Sequence, residues 1–211
     1  KLISDDIVEV GAATLDRKLA NFAKDNNLAN FEFLSCIPGS IGGAVIMNSG
    51  CYENDISKIL LSIQVIDIKD CIEKEIKKED IKFLYRGTSL SQDLIIISAK
   101  FKGLISNKGE IEKKQYNFIE KKKLSQPSQI KTCGSTFKNI NKDKKAWMLI
   151  KNSGCDGFKV GDATISKKHC NFFVNKNNAS FDDMNKLIEF VKERVEKKTG
   201  IKLEKEIKIL E

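Results

Sequence analysis

The sequence predicts an α+β fold, and three observations support this prediction. Apolar residues make up 41% of the 211 residues and charged residues 31%, which is typical of a globular protein with a sizeable core. Segments with the alternation of strands are interspersed with segments that have helical spacing of apolar residues. These segments follow no regular βαβ rhythm, which argues against a doubly wound parallel sheet.

The first half of the chain contains strand patterns separated by helix patterns. Leu15 and Ala23 bound a segment with helical spacing, and residues 110–123 form a weakly amphipathic helix pattern. Residues 94–101 form a largely apolar run, which predicts a strand buried on both faces. The predicted strands of this half are residues 7–10, 60–68, 71–76 and 94–101, with 71–76 as the hairpin partner of 60–68.

The composition changes at residues 125–129, Ser-Gln-Pro-Ser-Gln, which predict a linker. Residues 144–152 then form a short helix pattern that ends before Gly154, and residues 171–175 form a strand pattern. The sequence therefore predicts a second, smaller α+β region after the linker.

A helix with clear start and stop signals closes this second region. Ser180 with Asp183 three residues later matches a capping box, and Gly200 follows the last apolar position of the helix. Residues 203–210 then alternate, with Glu204 and Glu206 on one face, which predicts a final strand.

The charge pattern argues against several classes of partner. The net charge is +8, but it comes mainly from lysines that are interleaved with acidic residues along the chain. Proteins that read bases favour arginine forks and stacked aromatic rings, and neither stands out here. No apolar run is long enough to cross a bilayer, and the start does not match a secretory signal. We therefore expect a cytoplasmic protein that binds neither nucleic acid nor membrane.

Six cysteines lie far apart in the sequence, without a C-x-x-C pair, and His169 is the one histidine. This spacing indicates no zinc site, and it favours reduced, partly buried thiols.

Four segments have residue types that could carry chemistry, and each also has a simpler interpretation. Residues 37–43 form a glycine-rich loop that could bind an anion through backbone N–H groups, or be only a turn. Arg86 could bind a carboxylate with two hydrogen bonds, or lie on the surface. Residues 133–139 bring a hydroxyl, an ammonium and an amide close together in sequence, where they could act on a ligand, or they could form only a polar turn. Glu204 and Glu206 could be functional carboxylates, or face solvent.

Taken in order, these segments resemble the UDP-N-acetylenolpyruvoylglucosamine reductase (MurB) family. Residues 32–52 are similar to its flavin-contacting stretch, E-F-L-x-x-I-P-G-S-I-G-G-A-V-I-M-N-S-G-C-Y in this chain. Residues 83–89 resemble its F-x-Y-R-x-S segment with one extra residue after the arginine. Residues 134–139 match G-S-T-F-K-N, residues 154–175 resemble the block that ends in N-F-x-V-N, and residues 203–207 resemble its L-E-x-E-V ending.

The resemblance implies an enzyme of peptidoglycan synthesis. Its reaction is the reduction of UDP-N-acetylglucosamine enolpyruvate to UDP-N-acetylmuramate, with FAD as cofactor and NADPH as hydride donor. The catalytic residues that it implies are Arg86, Ser135 as proton donor, and Glu206. The implied substrate contacts are Tyr85, Lys138 and Asn139. The implied contacts to FAD are Ile37, Pro38, Gly39, Ser40, Gly42 and Gly43.

The resemblance also implies a domain arrangement and a monomeric protein. It predicts a mixed-sheet FAD-binding region formed by residues 1–131 together with 201–211, and a substrate-binding domain formed by residues 132–200. The family has a glycine-rich flavin loop before the region that matches here, so we expect this chain to lack that N-terminal segment. The alternatives are an inactive remnant that binds UDP-sugars, and another FAD-dependent oxidoreductase.

Overall fold

The structure is a computed structural model that describes residues 1–141 and 143–210. The chain forms two compact units, Lys1–Lys122 and Lys123–Glu211. Helices and strands are both abundant and are mixed along the chain, so the predicted α+β class is confirmed. None of the described helices has the length and apolar character that crossing a bilayer requires.

The first unit contains short hairpins arranged around longer strands. Its α-helices are α1 (Asp16–Asp25), α2 (Ile41–Ile46) and α3 (Lys108–Ser125), and its 3-10 helices are Glu32–Cys36, Ile56–Lys58 and Lys78–Asp80. Its strands are β1 (Ile7–Gly11), β2 (Leu28–Ala29), β3 (Gly50–Cys51), β4 (Asn54–Asp55), β5 (Leu60–Asp67), β6 (Ile72–Lys77), β7 (Phe83–Leu84), β8 (Gly87–Thr88), β9 (Leu94–Lys102) and β10 (Leu104–Ile105).

The main sheet of the first unit has the order β1-β9-β5-β6. Every strand pair within residues 1–141 and 143–210 is antiparallel, whereas a mixed sheet was expected. The prediction that β9 is buried on both faces is wrong, because Ile95 is 56% and Ile97 38% exposed. Ala99 and Phe101 are its buried residues, and Ile96 packs against the same core because a shift in the pairing with β5 changes the alternation between Ile96 and Ser98. Strand β9 therefore has one core face and one open face in this unit.

Helix α1 covers part of the core through one face. Leu19, Ala20 and Ala23 recur at helical spacing and are all buried, as the sequence pattern predicts. Helix α3 has only Ile111 and Gln115 buried. The Gln115 Nε2 donates to the Ala20 carbonyl at 3.0 Å, so a buried hydrogen bond holds α3 against α1.

The second unit is a smaller sheet with helices packed on it. Its helices are α4 (Ala146–Asn152) and α5 (Phe181–Thr199), and its strands are β11 (Lys131–Ser135), β12 (Lys159–Val160), β13 (Ala163–Ile165) and β14 (Phe172–Asn175), in the order β11-β14-β13-β12. Leu187, Val191 and Val195 of α5 are fully buried in the core of this unit. The capping box at Ser180 and Asp183 is present as predicted.

Residues 203–210 do not form the predicted strand. A single bridge pairs Lys205 with Phe137, and no strand is assigned beyond it in the described part of this segment. The segment lies in the second unit, and the boundary between the units falls at Lys122. This division differs from the expected one, in which residues 201–211 join the first region and the boundary follows residue 131. The two regions' roles in FAD and substrate binding stay a prediction.

Candidate active site

The glycine-rich loop, residues 37–43, is held against the segment that leads into α1. The Asp16 N–H donates to the Gly39 carbonyl at 3.0 Å, and the Ile41 N–H donates to the Thr14 carbonyl at 2.9 Å. These two bonds flank a bridge between the two segments and fix the path of the loop.

The backbone of this loop has groups available for an anion. The N–H groups of Gly39 and Ser40 have no backbone acceptor among the described residues. A Cβ at Gly42 would lie 3.2 Å from the Cβ of Ala12, so glycine permits a close approach there. Free N–H donors at two adjacent small residues fit a diphosphate such as that of FAD.

Asp16 contacts this loop, although no motif of the sequence indicated a role for it. Its side chain is completely buried, and both carboxylate oxygens lack a hydrogen-bond partner in the described part of the chain. Burial raises the pKa of this carboxyl to about 6. The signal was present in the sequence, because Asp16 precedes Leu19, Ala20 and Ala23 at helical spacing and so shares their buried face.

Arg86 lies in the two-residue turn between β7 and β8. Its φ is 59°, an uncommon left-handed conformation for a residue with a side chain. Its guanidinium lies 5.1 Å from the centre of the Tyr85 ring, and its Nη2 donates to the Gly50 carbonyl at 3.2 Å. Arg86 is therefore positioned by its bond to Gly50, which lies a few residues after the glycine-rich loop in the chain.

Asn48 joins the two parts of this site, although its sequence context indicated no such role. Its Nδ2 donates to the Leu84 carbonyl at 3.2 Å, and its Oδ1 accepts from the Ser57 N–H at 3.0 Å. The Thr88 hydroxyl makes a parallel bond to the Ile46 carbonyl at 3.2 Å. Together with Arg86, these bonds fix the β7–β8 hairpin to residues 46–50, which follow the glycine-rich loop.

The candidate residues of the second unit lie on two paired segments. The Lys138 N–H donates to the Glu204 carbonyl and the Glu206 N–H to the Thr136 carbonyl, both at 2.8 Å. The Lys138 Nζ also bonds the Glu204 carboxylate at 2.5 Å. This pairing places Glu206 opposite Thr136, the residue directly after Ser135.

The end of β11 shapes the position of Ser135. Gly134 has a φ of 84°, which glycine adopts without strain, and the pairing with β14 shifts register between Thr132 and Ser135. The Ser135 hydroxyl has no hydrogen-bond partner among residues 1–141 and 143–210, so its proton is available to a ligand. The buried Asn171 bonds both backbone groups of Phe137, at 2.9 and 2.8 Å, and so fixes the chain after Ser135.

Asn139 has a structural contact as well. Its Oδ1 accepts a hydrogen bond of 3.0 Å from the N–H of Ala146, the first residue of α4. The carboxamide oxygen therefore satisfies an N–H group that the helix itself leaves unpaired.

Two family models match this chain. Residues 126–210 match the C-terminal domain of UDP-N-acetylenolpyruvoylglucosamine reductase, and residues 2–71 match an FAD binding domain. The UDP-N-acetylenolpyruvoylglucosamine reductase of Pelagibacter ubique is 54% identical over 211 residues, which are 99% of this chain and 70% of that protein. The chain belongs to the UDP-N-acetylenolpyruvoylglucosamine reductase family. The family resemblance predicted from the motifs is therefore confirmed, as is FAD as the cofactor of this family.

Two further relatives agree with this assignment. A reductase of the same name from a Wolbachia strain of Drosophila simulans is 41% identical and matches 96% of this chain and 68% of its own length. The Thermus caldophilus enzyme (MurB) is 31% identical in sequence, and its crystal structure superposes on this one with a TM-score of 0.85. The match covers 98% of this chain and 73% of that one. The glycine-rich loop lies within the part of this chain that matches the FAD binding domain.

Proposed function

We propose that this protein catalyses the NADPH-dependent, FAD-mediated reduction of UDP-N-acetylglucosamine enolpyruvate to UDP-N-acetylmuramate, a cytoplasmic step of peptidoglycan synthesis. The observation that carries this proposal is the attachment of Arg86 to residues 46–50. That attachment links a carboxylate-binding side chain to the segment that carries the proposed FAD loop.

The loop supplies the proposed FAD contacts. Gly39 and Ser40 offer N–H donors to the diphosphate, and the small residues around them leave room for its oxygens. When bound and reduced, FAD supplies the hydride for the enolpyruvyl double bond. The full set of proposed contacts is Ile37, Pro38, Gly39, Ser40, Gly42 and Gly43.

Arg86 is proposed to bind the carboxylate of the enolpyruvyl group. A guanidinium can donate two parallel hydrogen bonds to a carboxylate, and its charge stabilises the negative charge that develops as hydride adds to the adjacent carbon. Tyr85 is 53% exposed and lies under the guanidinium, where it can contact the same ligand.

Ser135 and Glu206 are proposed to complete the reaction. Addition of hydride leaves a basic carbanion, and a hydroxyl as weakly acidic as that of Ser135 can protonate such a group when it is placed correctly. Glu206, on the paired segment, would hold or protonate the intermediate. Lys138 and Asn139 are proposed as substrate contacts next to them.

The test is to separate the two half-reactions in protein that carries flavin. Ser135→Ala should leave the reduction of flavin by NADPH nearly intact and slow the formation of UDP-N-acetylmuramate, because the hydroxyl acts only after hydride transfer. Ser128→Ala, in the linker, is the matched control and should leave both rates unchanged.

Three outcomes would contradict the proposal. Equal damage to both half-reactions would exclude Ser135 as the proton donor. Binding of the UDP-sugar without flavin would indicate a protein that only binds UDP-sugars, and flavin turnover with a different substrate would indicate another oxidoreductase.

A further inference from the structure

Asp16 is a completely buried residue whose carboxyl packs against the glycine-rich loop. A Cβ built on Gly39 would lie 3.0 Å from the Asp16 Oδ2, so the carboxyl occupies the side of Gly39 where a side chain would project. The Asp16 N–H also donates to the Gly39 carbonyl at 3.0 Å, and a bridge joins Leu15 to Ser40. These contacts hold the carboxyl next to the backbone of the loop.

The environment of this carboxyl favours its protonated form. Neither oxygen has a hydrogen-bond partner among residues 1–141 and 143–210. Asp16 is the first residue of α1, where the N–H groups of a helix favour a negative charge, yet neither oxygen accepts from one of them. An ionised carboxylate that is buried without a donor or a cation is costly, so burial raises the pKa of Asp16 to about 6.

The charged groups around α1 do not offset this burial. The glycine-rich loop itself has no titratable side chain. The ionisable groups on α1 and on elements around it include Glu9 of β1, Arg17 and Lys18 of α1, Glu32 and Cys36 of the 3-10 helix, and Lys114 of α3, which pairs with Glu32 at 3.3 Å. Burial, and not one of these charges, accounts for the raised pKa of Asp16.

A ligand at the loop would bring a second negative charge to this place. The N–H groups of Gly39 and Ser40 suit a diphosphate, which is anionic, and like charges that are close together in a buried setting repel strongly. A protonated Asp16 removes that repulsion, whereas an ionised Asp16 opposes binding.

We propose that Asp16 couples the binding of FAD at the glycine-rich loop to the uptake of a proton, so that the loop binds the FAD diphosphate while the Asp16 carboxyl is protonated. Asp16 is thus a positioning residue, because it acts on the ligand through the loop and through its charge. This inference rests on the proposed role of the loop in FAD binding.

The coupling has a defined direction with pH. The acid form of Asp16 is lost as the pH rises through 6, so the affinity for FAD is highest at low pH and falls above that value. When only the protonated form binds, the apparent affinity follows the protonated fraction, which falls about 50-fold from about pH 6 to about pH 8. Binding of FAD above about pH 6 therefore takes up a proton from solvent.

The experiment measures the affinity of the full chain for FAD by fluorescence quenching from about pH 6 to about pH 8 in buffers without phosphate. We expect the native protein to lose roughly 50-fold in affinity over this range. Asp16→Asn is neutral at every pH and should bind FAD at all pH values at least as tightly as native protein does at the low end. Asp25→Asn, at the other end of α1, and Cys36→Ser, which removes the thiol before the loop, are the matched controls and should keep the native profile.

Calorimetry in buffers of different ionisation enthalpy gives a second measurement, which a merely structural role of Asp16 would not change. At about pH 7 the native protein should take up about one proton per FAD, and Asp16→Asn should take up none. A flat pH profile, binding without proton uptake, or the native profile in Asp16→Asn would overturn this inference and leave the proposed function intact. Absence of FAD binding by both proteins at every pH would instead contradict the proposed FAD site itself.

Discussion

At the scale of single residues, the proposed role of Arg86 requires both its positive charge and the planar shape of its guanidinium. One nitrogen of its guanidinium already bonds the Gly50 carbonyl, and the planar group lies beside the Tyr85 ring. A lysine at this position would keep the charge but would not keep the planar group with its several donors.

We therefore predict that Arg86→Lys slows enolpyruvyl reduction by about 10- to 100-fold, the effect of losing one charged hydrogen bond. Affinity for the UDP moiety should change little, because Arg86 is proposed to contact only the enolpyruvyl carboxylate. Steady-state rates and calorimetric titration with UDP-N-acetylglucosamine measure the two effects. Arg17→Lys, an exposed arginine of α1, is the control. An Arg86→Lys enzyme with full turnover would refute the proposed role.

Asp16 shows the cost of a buried carboxyl without a partner. Its pKa is raised from 3.8 to about 6, so the folded protein retains this proton to higher pH than the unfolded chain does. The contribution of the protonated Asp16 to the free energy of unfolding is therefore fully present below about pH 4, and it is lost as the pH rises through 6.

We predict that Asp16→Asn raises the free energy of unfolding by roughly 1–3 kcal/mol at pH 7 and changes it little at about pH 4. Urea unfolding across this pH range measures the effect. Asp25→Asn, at the other end of α1, is the control, because Lys108 lowers the pKa of Asp25 and moves its titration below this range. Parallel pH profiles for native protein and Asp16→Asn would contradict the prediction.

At the scale of elements, local signals determined what the sequence could predict. Strands β1, β5 and β14 and helix α5 formed where their patterns indicated, because each combines a clear periodicity with start or stop residues. The burial of β9 was overestimated, because a largely apolar run does not show which face a sheet leaves open. Residues 203–210 alternate like a strand, but strand pairing depends on a partner segment that their own sequence does not specify.

The capping box of α5 gives a direct test at this scale. The Ser180 hydroxyl accepts from the Asp183 N–H, and the Asp183 carboxylate accepts from the Ser180 N–H, both at 3.0 Å. We predict that Ser180→Ala lowers the free energy of unfolding by about 1 kcal/mol, because an N–H group of the first turn loses its acceptor. Ser180→Asp keeps an acceptor and should stay close to native stability in denaturant titrations. Equal losses in both variants would show that the hydroxyl does not act as a cap.

At the scale of the whole molecule, the motifs in order indicated the family, although each alone was weak. The same motifs could not reveal Asn48 or Asn171, because both act by bonding backbone groups that are distant in sequence. The proposed roles of Ser135, Arg86 and Glu206 depend on ligands, so they stay predictions that the half-reaction and substitution experiments test.

FAD affinity is a property of the whole molecule. The chain aligns with 70% of the Pelagibacter ubique reductase, so that enzyme has residues with no counterpart in these 211. The motif resemblance implies a further glycine-rich flavin loop in the family, and no segment of this chain matches it. Each lost hydrogen bond to a charged group costs about 1.5–3 kcal/mol, and apolar surface left in water costs about 25 cal/mol per Å².

We therefore predict that the polypeptide 1–211 alone binds FAD at least about 100-fold more weakly than the full-length Pelagibacter enzyme, since two lost contacts already exceed the roughly 2.8 kcal/mol that this factor represents. Quenching of FAD fluorescence measures both affinities. The Pelagibacter enzyme trimmed to its matching region is the control for sequence differences, and it should be weakened to a similar degree. Equal affinity of the trimmed and full-length enzymes would show that the residues outside the match contribute nothing to FAD binding.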